Sequence, residues 1–143
     1  MPFRIPTFYN LTKPVGKNQP NLSLDVLLVQ FFLKEVSAQP GSPIQLPGKG
    51  LDANGNVDQN TIDWITAYQK SKSQLYSDGI VDPIPERNLT ASTPVHNKTY
   101  TLFELNFDFE LKQPEKFNKI WQHPRCPAAL GQALAMNYKV IHP

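Results

Sequence analysis

The run NLSLDVLLVQFFLKEVS, from about Leu22 to Ser37, constrains this chain more than any other part of it. Its spacing predicts a helix, with Ser23 or Asn21 as the cap and Asp25 in the positively polarised first turn. Val26, Val29, Gln30 and Leu33 recur on one face. The opposite face carries Leu27, Leu28, Phe31 and Phe32 instead of polar residues, so the helix is apolar nearly all round. Such a helix is normally covered on more than one side. The rest of the chain must therefore pack around it. With 143 residues, 40% of them hydrophobic, there is material for one sizeable core and too little for two ordinary domains.

Prolines divide what remains. The 14 prolines gather in the first twenty residues, between Pro40 and Pro47, from Pro83 to Pro94, and around Pro124 and Pro127. Each cluster is expected to be irregular, because proline lacks a backbone donor and restricts the residue before it. A second helix is expected from Asp58 or Asn60 through TIDWITAYQKSK. Ile62, Ile65, Tyr68 and Gln69 fall on one side of it, Asp63, Lys70 and Lys72 on the other. It follows DANGNVD, a turn in which Gly55 can supply positive φ, and SDGIVDP, Ser77 to Pro83, reads as a second turn of that kind. These turns shape the fold, and Gln30 and Gln69, each inside a helix among apolar residues, are placed to reach the turn amides as internal struts.

TYTLFELNFDFELK fits two periods. Phe103, Leu105, Phe107, Phe109 and Leu111 alternate as in a half-buried strand. Leu102, Leu105 and Phe109 also satisfy helical spacing, and Thr101 with Glu104 makes a capping box. Helix is favoured, because a lone strand would have no partner. Pro114 and Pro127 can each open a further short helix, PEKFNKIWQ and PAALGQALAM. Phe117 and Trp121, at helical spacing in this stretch, read as a lid over Phe31 and Phe32.

Several function classes are excluded or weakened. A formal net charge of +2 with scattered basic residues speaks against nucleic acid or an anionic membrane surface as partner. One cysteine, Cys126, leaves no internal disulfide, so packing must hold the fold. The opening MPFRIPTFYN has no apolar run of signal-peptide length, and no stretch approaches a membrane span. The Asn-X-Ser/Thr triplets at Asn10, Asn21, Asn88 and Asn97 read as ordinary surface polarity. There is no Gly-X-Ser-X-Gly elbow, phosphate loop or HEXXH pair, so no catalytic activity and no cofactor are expected. His123 and Cys126 lack a second ligand pair for zinc, and His96 and His142 stand alone. Asp52, Asn54, Asn56, Asp58 and Asp63 alternate like a calcium loop, but the glycine falls two places early and a bidentate Glu is missing. No metal is expected.

In order and spacing, SLDVLLVQFFL from Ser23, NGNVDQNTIDWITAYQ from Asn54 and DGIVDP from Asp78 resemble the bacterial peptidoglycan-binding-like domain of three-helix type. The resemblance covers about Asn21 to Leu89. The segment PERNLTAS after Pro83 lacks the apolar spacing of the family's third helix, and Asp82 stands where a glycine is expected. Further on, the LFELN, HP and PAAL pieces resemble the tail of a subset of these domains associated with type VI secretion. The resemblance implies a mainly α fold, a peptidoglycan-binding-like three-helix bundle with a helical C-terminal extension. Its units would be an irregular segment 1–20, the domain 21–94, and an extension 95–143 packing on it. It also implies a non-catalytic module that binds bacterial cell-wall peptidoglycan, through glycan or stem peptide, and is delivered to the periplasm or wall by a secretion system. Recognition of that kind needs an aromatic face with a few fixed polar groups, and Trp64, Tyr68, Tyr76 and Asp78 are the available set. Trp64 and Tyr68 fit a place in the core equally well. The alternative is a structural or adaptor protein on the same scaffold, docking a protein partner through Leu27, Leu28, Phe31 and Phe32 or through the extension.

Overall fold

In the computed structural model, residues 8–37, 44–85, 99–136 and 140–141 are described. The stretch 86–98, with most of PERNLTAS, His96 and the triplets at Asn88 and Asn97, lies outside them, as does His142. The protein is mainly helical. In chain order the elements are β1 (Phe8–Tyr9), β2 (Val15–Gly16), α1 (Ser23–Ser37), α2 (Gln59–Lys70), β3 (Ile80–Val81), α3 (Thr101–Lys112), α4 (Pro114–Phe117), a 3-10 turn (Ile120–Gln122), α5 (Ala128–Ala135) and β4 (Val140–Ile141).

The central helix behaves as its composition demands. Helix α1 packs on α2, α3 and α5, and every residue from Asp25 to Leu33 is buried. Leu27, Leu28, Phe31 and Phe32 are all within the core, so no partner can reach them and the docking surface expected there does not exist. Phe31 and Phe32 are covered by Tyr9, Phe109 and His123 at ring separations of 5.2–5.9 Å. Phe117 sits one ring further out, against Tyr9 and Phe109, so the expected lid is an outer layer and not the direct cover.

Residues 101–112 are a helix. Thr101, Leu102, Phe103, Leu105, Asn106 and Phe109 turn inward at helical spacing while Leu111 is 71% exposed, which strand alternation would not give. The capping box does not form: Tyr100 is the N-cap, and the Thr101 hydroxyl and Glu104 carboxylate accept from Gln69 and Gln74. Of the two expected starts of α2, Asp58 is the one used, as its N-cap, accepting from Thr61 N at 2.8 Å, whereas Asn21 does not cap α1. Its amide instead brackets Gly16, accepting from the N–H and donating to the C=O, both at 2.8 Å.

That bracket is one of three that stand in for strand pairing. Asn106 holds the N–H and C=O of Tyr9 at 3.0 and 3.1 Å, and Asn10 holds those of Ile84 at 2.9 and 2.8 Å. A primary amide offers the same donor and acceptor as a peptide group, so one side chain satisfies a buried backbone pair without a neighbouring strand. Asn10 is thus 4% exposed and fully engaged, not surface polarity. Around these clamps the described residues make two antiparallel ladders of two residues each: Phe8 and Tyr9 against Ile141 and Val140, Val15 and Gly16 against Val81 and Ile80. The first brings residues near both chain ends together.

Candidate functional site

Two nearly identical polar modules organise the α1–α2–α3 region. The Gln30 amide donates to Asn54 Oδ1, Asn56 O and Thr61 Oγ1 at 3.0–3.3 Å, and its Oε1 accepts from Gly55 N at 3.0 Å. The Gln69 amide donates to Asp78 Oδ1, Ile80 O and Thr101 Oγ1 at 3.0 Å, and its Oε1 accepts from Gly79 N at 2.8 Å. Each module ties one helix to an Asx-Gly turn and to the threonine that opens the next helix. Gly55 and Gly79 have φ of 80° and 71°, a conformation that side chains resist. The glutamines act as internal struts, as their positions predict. Thr101 supplies the second module's threonine, from the far side of residues 86–98.

One side-chain oxygen of each turn aspartate or asparagine is engaged within these modules. Asn54 Oδ1 also receives Asn56 N, and Asp58 Oδ1 receives both the N–H and the hydroxyl of Thr61. Among the described residues no group of three or more His, Cys, Asp or Glu side chains is arranged to hold a metal ion.

The four side chains expected to bind a ligand do not meet on one surface. Trp64 is 5% exposed, and its indole N–H donates to Lys49 O at 2.9 Å. Tyr68 is fully buried; its hydroxyl donates to Asp108 Oδ2 at 2.6 Å, and burial first, then the Asp108 charge, raises its pKa well above the phenol range. Tyr76 is 54% exposed. Asp78 is exposed, but its Oδ1 is turned into its own turn by Gln69 and Ile80 N. The two aromatic rings of α2 face the core because Trp64, Ile65 and Tyr68 are the apolar stripe with which α2 packs. The expected aromatic platform is therefore not formed.

The open space lies on the other face of α2. A groove of about 730 Å³ runs between that helix and the segment 45–48, lined by Leu46, Pro47, Gly48, Asp63, Thr66 and Lys70 among others. Asp63, Thr66, Ala67 and Lys70 follow the i, i+3, i+4, i+7 spacing of a single helical stripe. The groove wall is held at its C-terminal end by Trp64, through Lys49 O, and by Asn60, whose amide donates to Gly50 O at 2.9 Å. Sequence reasoning missed this site, because its only trace is a polar helix face beside a proline-rich segment. Both are commonplace on surfaces.

A second polar cluster joins α1 to the C-terminal part of the chain. Glu35 takes Arg125 in a bidentate pair at 2.8 and 2.9 Å and Gln113 Nε2 at 2.9 Å. His123 Nδ1 accepts from Arg125 N at 3.0 Å, which assigns its proton to Nε2, facing Gln113 Oε1 at 2.8 Å and Glu35 Oε1 at 3.2 Å. Burial holds His123 below the usual imidazole range, with Arg125 and Lys116 adding and Glu35 opposing. Burial would raise Glu35, but hydrogen bonds from Arg125 and Gln113 and the nearby positive charges outweigh it and hold the carboxyl low. Cys126 is half-buried, and burial pushes its thiol up to about 11, which leaves it a poor nucleophile at neutral pH.

A pH dependence follows. A group with a depressed folded pKa contributes stability above its unfolded pKa and loses it as pH falls towards the folded value. For His123 that loss begins near its ordinary value of about 6.5. Asp82, Glu104 and Glu110, raised first of all by burial, act in the opposite sense at lower pH, so the His123 effect is cleanest above them. The thermal midpoint is expected to fall as pH drops from about 7.5 to about 6, and the His123→Gln variant is expected to lose that slope. A wild-type midpoint that stays flat across the window would refute the assignment.

No helix of the described residues is long and apolar enough to cross a membrane. Comparison of the chain with family models, curated proteins and solved structures gives no match.

Proposed function

We propose that this chain is a non-catalytic binding protein on a peptidoglycan-binding-like scaffold, with cell-wall peptidoglycan as its ligand, delivered by a secretion system. In this reading the module spans 21–94, with α1 and α2, and residues 95–143, which include α3, are the extension packing on it. The observation that carries it is the doubled strut: Gln30 and Gln69 use the same four bonds to close the same Asx-Gly turn onto a helix-opening threonine. The motifs behind the resemblance are thereby the residues that build the scaffold. In this reading the groove beside α2 is the surface that binds.

Co-sedimentation with insoluble peptidoglycan sacculi tests the reading. Alanine at Trp64 or Tyr68 would open cavities costing about 3–5 kcal/mol, so the informative variant lies in the groove instead. A side chain at Gly48 meets no atom within 4 Å, and Gly48, which lines the groove, is not among the glycines at positive φ, so Gly48→Phe places a bulky ring at the groove wall without disturbing the core. Wild type is expected in the pellet and Gly48→Phe mostly in the supernatant. Folded wild type that stays in the supernatant would sink wall binding.

The adaptor reading is favoured by one feature: Asn54 Oδ1 and Asp78 Oδ1 are bonded within their own turns and both α2 aromatics are buried, so the aromatic face that sugar recognition needs is missing from the motif residues. Its docking surface would then have to lie on the extension.

A further inference from the structure

The groove carries a specific charge pattern. Asp63 and Lys70 lie seven residues apart on α2, which places them on one face and about 10.5 Å apart along the axis. Both are exposed, and neither takes part in the ion pairs formed among the described residues. One Asp63 oxygen receives Gln59 Nε2 at 2.9 Å. Between the charges lie only Thr66 and Ala67. Thr66 turns its hydroxyl to Ile62 O at 2.9 Å, so two small side chains separate the charged ends, and Gln45 and Ser71 add polar groups to the lining. Leu46 and Pro47 make the facing wall.

We propose that this groove binds a short zwitterionic peptide, with its free ammonium on Asp63, its free carboxylate on Lys70 and small side chains against Ala67, Leu46 and Pro47. An extended chain advances about 3.3 Å per residue, so three residues span the distance between the two charges. The volume of about 730 Å³ lies within the range of small-ligand pockets. Opposite charges at the two ends fix the direction of the ligand, and a neutral sugar would leave both without a partner. The inference rests on the binding-protein reading only in supposing a ligand, not in supposing that the ligand is the wall.

The test is an amide-shift NMR titration of the full chain with trialanine, N-acetyl-trialanine and trialanine amide. Saturable shifts are expected at Gly48, Asp63, Thr66, Ala67 and Lys70, with each blocked terminus weakening binding by about fivefold, the scale of one solvent-accessible ion pair. Lys70→Gln should erase the difference between trialanine and its amide while keeping the penalty for N-acetylation. Gly48→Phe should remove the shifts. No saturation by about 10 mM, shifts lying elsewhere, or equal binding of the blocked peptides would each overturn the proposal. Chito-oligosaccharide moving these amides where trialanine does not would overturn it and leave wall binding standing. Trialanine binding without retention on sacculi would support it and remove wall binding.

Discussion

Phe109→Ala is expected to destabilise the protein by about 4 kcal/mol, near the middle of the range for a fully buried phenylalanine truncated to alanine. The ring is fully buried, with Phe32 at 5.2 Å, Phe31 at 5.8 Å, and Phe117 and His123 at 6.1 Å. It therefore joins α3 to the central helix and to the chain that follows Pro114. Those neighbours come from three separate places in the chain, α1, α4 and the end of the 3-10 turn, so they cannot all move in to close the space, and the cavity contribution persists. Urea unfolding followed by far-UV circular dichroism would measure the loss. Leu111→Ala, on the same helix but 71% exposed, is the control and should change stability by less than about 0.5 kcal/mol. Equal small effects for the two variants would show that α3 is not seated on α1 in this way.

Gln69→Leu should cost about 3–4 kcal/mol although it keeps the size and apolar contacts of the side chain. The amide is 1% exposed and serves Gly79 N, Ile80 O, Asp78 Oδ1 and Thr101 Oγ1 at once. Leucine leaves the buried Gly79 donor without a partner and strips the half-buried Ile80 acceptor and the Thr101 hydroxyl of theirs, and each such loss costs about 1–3 kcal/mol. The surface change Gln122→Leu alters composition identically at an exposed site and is expected to be nearly neutral. If Gln69→Leu lost less than about 1 kcal/mol, the strut would be incidental and the turn would hold itself. The same measurement on Gln30→Leu should give a comparable loss, since its amide makes the corresponding set of bonds.

Some of this was open to inspection in the chain itself. Leu27, Leu28, Phe31 and Phe32 beside Val26, Val29 and Leu33 allow α1 no solvent face, and α1 is indeed the helix that the others cover. Asp58, the turn at Gly55 and the pairing of Gln30 and Gln69 with the amides of their turns were legible because each turn is marked by a short motif, whereas Thr101 as Gln69's further partner was not. The period of residues 101–112 was ambiguous for a physical reason: alternate apolar residues also populate a wide helical face. Burial on α1 selected the helix.

The clamps were not legible. Asn10, Asn21 and Asn106 look like any surface asparagine, and their partners Ile84, Gly16 and Tyr9 are up to 97 residues away. The groove was illegible too, because Gln45 to Gly48 meet Asp63 to Ser71 only after Trp64 and Asn60 have drawn residues 49 and 50 against α2. Nor could the composition of α2 decide that Trp64 and Tyr68 face inward, since an amphipathic stripe of aromatics suits a core or a ligand equally well. The sequence by itself determined a mainly helical protein around one apolar helix, with two glutamine-closed turns, because periodicity and turn chemistry act between near neighbours. Only the tertiary structure decided which face of α2 is left open and which asparagines replace strands, because those outcomes depend on contacts between segments distant in the chain.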